Sequence, residues 1–132
     1  MKSTLARGVT ATERITVDEP RTIAFLGEEL RVYSTPSMVR DVEYTALRLI
    51  DQHLDEGEGS VGIHVSVDHL GATPLGQWVE VALTVAEVEG RKVTLDVEVR
   101  DAVELVGRGR HVRFVIDVAR HAERLEQKAA QY

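Results

Sequence analysis

From Val61 onward apolar and polar residues alternate strictly. Val61, Ile63, Val65, Val67 and His69 share one side of a strand, and Gly62, His64, Ser66 and Asp68 the other. His69 is therefore expected to point inward. LGATPLG follows, a turn-rich break, and then a run from Gln77 to Val88 with Val79, Val81, Leu83 and Val85 on its inner face. Glu89-Gly90 predicts a tight reversal into Val93, Leu95, Val97 and Val99, with Asp96, Glu98 and Arg100 facing out. After Asp101-Ala102 a last strand runs to about Ile116. Its Gly107 and Gly109 mark a bulge or a close backbone approach, and Val112, Phe114 and Ile116 share a face.

The front half has a different period. PSMVRDVEYTALRLIDQHL, from Pro36 to Leu54, places Val39, Ala46, Leu47 and Ile50 on one helical stripe, widened by Val42 and Leu49. Thr35-Pro36 suits a helix start, and the glycines and acids of DEGEGS suit its end. Glu43 lies within the stripe, where a carboxylate needs a partner to offset lost hydration. Ahead of the helix, residues 1–12 read as a loosely held arm, and Glu13–Val17 and Thr22–Leu26 supply one early strand. GEELRVYS, from Gly27 to Ser34, is either a short helical turn or a lid over a pocket. DVARHAERLEQKAAQY, residues 117–132, reads as a solvated terminal helix. One long helix against one antiparallel sheet is an α+β arrangement, and 132 residues suffice for one such domain.

Bulk properties narrow the chemistry. A net charge of -6 argues against a nucleic-acid partner. No apolar run is long enough for a bilayer, and the first residues lack the apolar core of a secretory signal, so no membrane partner is expected and the cytoplasm is the default location. Without cysteine there are no disulfides, thiolate nucleophiles or cysteine zinc sites. The five histidines show no metal-binding spacing on one element, so neither a metal nor another cofactor is expected.

Thr35, Glu43 and His69 supply a hydroxyl, a carboxylate and an imidazole. Such a set generates a nucleophile or activates water, the imidazole taking a proton near neutral pH while the carboxylate balances its charge. Plainer readings stand beside this one. Thr35 serves equally as the helix cap, His69 as a satisfied core histidine, and Glu43 as a buried carboxylate paired with Arg113 should the last strand come near. Eight residues of helix separate Thr35 and Glu43 by about 12 Å along the axis, so His69 or a second subunit must stand between them.

Thr35 eight residues before Glu43, LDEGEGSVG from Leu54 to Gly62, VDHLGATPLG from Val67 to Gly76 and VEGRKV from Val88 to Val93 together resemble the fluoroacetyl-CoA thioesterase family. These are small acyl-CoA thioesterases of the hotdog fold. The resemblance covers Thr35 to about Ile116. It implies a long helix held in a curved antiparallel sheet, and homodimers with active sites at the subunit interface. It further implies that Thr35, Glu43 and His69 are catalytic, that the Gly62 N–H meets the carbonyl oxygen, and that Arg113 lies near the site. The chain departs before Thr35, where the charged GEELRVYS replaces a phenylalanine-rich lid, and at Pro36, which replaces glycine. The expected function is hydrolysis of a short acyl-CoA. A non-catalytic acyl-CoA or metabolite binder and an enoyl-thioester hydratase are the alternatives on the same fold.

Overall fold

The computed structural model describes all residues from Met1 to Tyr132. Its elements run β1 (Thr10–Thr16), β2 (Thr22–Ile23), β3 (Val32–Tyr33), α1 (Thr35–Asp51), β4 (Glu58–His69), β5 (Trp78–Glu89), β6 (Lys92–Asp101), β7 (Leu105–Asp117) and α2 (Val118–Ala129). Five strands form one antiparallel sheet in the order β1-β5-β6-β7-β4, and β2 with β3 makes a small separate ribbon. No helix is long and apolar enough to cross a membrane.

The sheet holds α1 on its inner face because the alternation of β5 and β6 is real. Val81, Leu83 and Val85 pair across to Val99, Val97 and Leu95, and these six are buried together with Val79 and Val93. They share one core with Met38, Val42, Ala46, Leu49 and Ile50 of α1. Gly90 takes the reversal between the two strands at φ +61. Gly107 and Gly109 of β7 mark close approaches: a Cβ on Gly107 would sit 2.6 Å from Met38 Sδ, and one on Gly109 only 1.8 Å from the Ser66 carbonyl oxygen.

Four expectations are corrected. The first concerns α1, whose buried side is Met38, Asp41, Val42, Thr45, Ala46, Leu49 and Ile50. Val39, Glu43 and Leu47 flank it, half-buried. The helix turns this way because two polar residues are satisfied inside: Asp41 by Arg21 and Tyr33, Thr45 by Glu13 and the Asp41 carbonyl. The second concerns β4, where pairing with β7 slips by one residue between Gly62 and His64. Ile63 is the extra residue of a bulge, so Val61 lies opposite the exposed Phe114 on the outer face, while Val65, Val67 and His69 face inward. Third, the amino-terminal arm is docked. Leu5 is buried in the core, Lys2 donates to the His53 carbonyl, and the terminal amine is ion-paired with Asp55 and Glu58. Fourth, the cap of α1 is Ser34, whose Oγ accepts from the Ser37 N–H at 3.2 Å. Thr35 is the first helical residue, and its hydroxyl is free for another partner.

GEELRVYS resolves into a 3-10 turn at Glu28–Leu30 followed by β3, so the turn and the pocket wall both occur. The helix at the carboxyl terminus is present and buries none of its residues.

Candidate active site

Thr35 and His69 meet in an open, largely apolar depression of the surface. The start of α1 presents the threonine and the end of β4 presents the histidine, with Oγ1 and Nδ1 2.7 Å apart. Ile23, Val32, Tyr33, Leu70, Gly71 and Ala72 complete the lining of this open 420 Å³ pocket. Burial lowers the His69 pKa below the ordinary histidine value, an effect that the Gly71 backbone partly offsets. The imidazole is thus held in its neutral, proton-accepting form. Its Nε2 is buried without a hydrogen-bond partner.

A second polar cluster lies farther along α1. Glu43 Oε2 stands 3.8 Å from Arg113 Nη1, and the Glu43 side chain is 46% exposed, so the carboxylate buried in α1 is Asp41 and not Glu43. Gly62 closes this cluster. A Cβ there would lie 3.1 Å from Glu43 Oε2, 3.3 Å from His111 Cε1 and 3.4 Å from Arg113 Nη1. Arg113 is buried at 5% exposure and donates from Nε to Ser60 Oγ at 2.9 Å and from Nη2 to the Ser60 carbonyl at 2.8 Å. Burial pulls its pKa down, while the charges of Glu43 and Asp51 hold it up. The structure therefore joins Glu43, Gly62 and Arg113, and separately joins Thr35 and His69. No hydrogen bond or ion pair of either cluster reaches the other.

His111 belongs to the second cluster and was not singled out by the sequence. Its Nδ1 lies 2.8 Å from the His64 carbonyl, which fixes Nδ1–H as a donor and leaves Nε2 to accept from Arg113 Nη1 at 3.2 Å. Burial is the largest cause of its lowered pKa. The available signal was parity: His111 and Arg113 share a face of β7. No group of three metal-ligating side chains is placed to hold a metal ion.

A long helix wrapped by a five-stranded antiparallel sheet is the hotdog fold, the architecture of thioesterases. Within that class, residues 17–119 match the model of the fluoroacetyl-CoA-specific thioesterase family, FlK, and the chain belongs to this family of thioester hydrolases. A fluoroacetyl-CoA thioesterase of Streptantibioticus cattleyicolor is 36% identical over 97 residues, spanning 74% of this chain and 70% of that one. A crystal structure of the fluoroacetyl-CoA thioesterase FlK superposes with a TM-score of 0.84 at 32% identity, covering 92% of this chain and 96% of the other. A Thermus thermophilus member of the thioesterase superfamily gives 0.85 at 28% identity, covering 97% and 98%.

Proposed function

We propose that this protein hydrolyses short acyl-CoA thioesters to the free acid and CoA, as a cytoplasmic homodimer, through Thr35, Glu43 and His69. The observation that carries the reading is the Thr35–His69 hydrogen bond in an open, largely apolar depression. The acyl group enters among Ile23, Val32, Leu70 and Ala72, which brings the thioester carbonyl to Thr35. His69 Nδ1 acts as general base. It takes the proton of the Thr35 hydroxyl if Oγ1 attacks the carbonyl carbon, or that of a water which Thr35 positions. The carbonyl bond opens to a tetrahedral oxyanion, which then re-forms it and expels the CoA thiolate; the proton on His69 goes to the sulfur. When Thr35 attacks, a water then cleaves the acyl group from Oγ1, giving its proton to His69, which returns it to Oγ1 and restores the threonine hydroxyl.

Glu43 balances the charge on the imidazolium, and the Gly62 N–H, beside the buried Arg113, stabilises the oxyanion. One such donor is worth about 3 to 4 kcal/mol. Because the two clusters do not meet within one chain, the reading assigns Glu43, Gly62 and Arg113 of one subunit to the Thr35–His69 pair of the other. Support for pairing comes from β4, an edge strand with open backbone groups whose Ile63 and Val65 are exposed.

The test is free-thiol release from a panel of acyl-CoAs, acetyl to long-chain and including fluoroacetyl-CoA, by wild type and His69→Ala. Turnover that needs His69 supports the reading and names the acyl class. Saturable CoA-ester binding without turnover of any member would make the protein a binder instead.

A further inference from the structure

Tyr33 stands beside His69 in space and two residues before Thr35 in the chain. It precedes the helix cap by one residue and Thr35 by two, so its placement sets where the threonine begins the helix. Its backbone N–H donates at 2.8 Å to the carbonyl of Thr73, in the loop that leaves His69, and the adjacent Val32 bridges to Pro74. Its ring stands edge-on to the His69 imidazole, with centroids 6.3 Å apart and planes at 76°. The phenol is 1% exposed and donates to Asp41 Oδ2 at 2.6 Å. Asp41, itself buried on α1, is gripped by Arg21 through Nε to Oδ2 at 3.0 Å and Nη2 to Oδ1 at 3.1 Å. Burial and, next, the bond to Asp41 raise the phenol pKa far beyond the usual tyrosine range, so Tyr33 is a permanent donor.

An ion pair between the buried Asp41 and the one-third exposed Arg21 is a modest source of stability. What a fully satisfied polar network does provide is one defined arrangement. His69 needs such definition. Its ring has a single hydrogen bond, through Nδ1 to Thr35, and Nε2 has none. One short hydrogen bond and a weaker pull from the Gly71 backbone leave the plane of the ring to be set largely by what packs against it.

We propose that Tyr33 is a positioning residue for the Thr35–His69 pair, passing the rigidity of the Arg21–Asp41 ion pair to the imidazole. The inference rests on His69 being the general base. Tyr33 holds the ring through its edge and holds the lead-in to Thr35 through its hydroxyl. The two functions separate by substitution: Tyr33→Phe keeps the edge and loses the tie to Asp41, and Tyr33→Leu loses both.

The experiment measures kcat and KM for thiol release from the best substrate of the acyl-CoA panel. The proteins are wild type, His69→Ala, Tyr33→Phe, Tyr33→Leu and Val81→Ala, the last a core change on β5 that controls for lost stability. Tyr33→Leu is expected to lower kcat about a hundredfold and Tyr33→Phe about tenfold, with KM within about twofold, as for a misplaced reacting group. Val81→Ala is expected to lose Tm and keep kcat. Nitrogen-15 spectra of the His69 ring should show one tautomer in wild type and an averaged ring in Tyr33→Leu. Should Tyr33→Leu not fold, Asp41→Asn loosens the same network from its far end and is expected to lower kcat in the same direction. Wild-type kcat in Tyr33→Leu, or in Asp41→Asn where that variant stands in, overturns the proposal while His69→Ala is inactive. Full turnover by His69→Ala removes the general-base reading itself, a result recognisable without any Tyr33 variant.

Discussion

The two polar clusters on α1 differ in how complete they are. At the start of the helix, Thr35 and His69 are already hydrogen-bonded at 2.7 Å, and the groups that hold them, Tyr33 among them, all come from the same chain. One stripe along, Glu43 keeps a half-open carboxylate 3.8 Å from Arg113, a separation at which Coulomb attraction acts without a hydrogen bond. The first cluster is finished within the chain and the second holds unused capacity. Under the proposed function, the half-open carboxylate of one subunit would meet the Thr35–His69 pair of the other.

His69→Ala removes the base and is expected to lower kcat/KM about a thousandfold. Glu43→Gln keeps shape and loses charge, and should cost about a hundredfold in kcat, measured on the same substrate. Mixing inactive His69→Ala and Glu43→Ala subunits after denaturation and refolding then asks where the two clusters meet. A site shared between subunits restores about a quarter of wild-type activity, because half of the random dimers carry one intact site. No recovery would place both clusters in one chain's site. Gly62→Ala puts a methyl group 3.1 Å from Glu43 Oε2. The carboxylate arm can swing aside, so a loss of about tenfold in kcat with little change in Tm is expected.

The smallest effect is on stability. Burial lowers the pKa of both His69 and His111, so the unfolded chain binds more protons than the folded one as pH falls below the ordinary histidine value of about 6.5. Stability is full above that value and declines below it. Thermal melts from pH 7.5 to 5 should show a falling Tm, less steep in a His111→Gln protein. A flat profile would mean that neither ring is buried in its neutral form.

How legible was this in the residues themselves? The inner rows of β5 and β6 were, because eight apolar residues alternating without interruption leave one face to bury. So was the helix, from its Thr35-Pro36 start. The rotation of α1 was not, since an apolar stripe gives no credit to Asp41 and Thr45, whose burial depends on Arg21, Tyr33 and Glu13, remote in sequence. Leu5 was overlooked for a similar reason: one apolar residue in a polar stretch has no period to announce it. At the candidate site, Thr35, Glu43 and His69 were legible by type, Arg113 only as a conditional partner of Glu43 and Gly62 only through the family resemblance, and the grouping into two clusters was not. Tyr33, Asp41 and His111 passed unnoticed because each matters through a contact across the fold.

The bulge at Ile63 has a consequence for counting. Along an unbroken strand, residues an even number apart share a side and residues an odd number apart oppose one another. Gly62 and His69 are separated by an odd number, yet both face α1, because the slip between Gly62 and His64 shifts the tally by one. Removing Ile63 from the chain would leave both facing inward on a straight ladder. Inserting a residue between Val65 and Val67 would instead turn His69 outward while Gly62 stayed in place. In this stretch of chain, a change of length that costs nothing in composition can separate the two clusters more cleanly than any change of side chain.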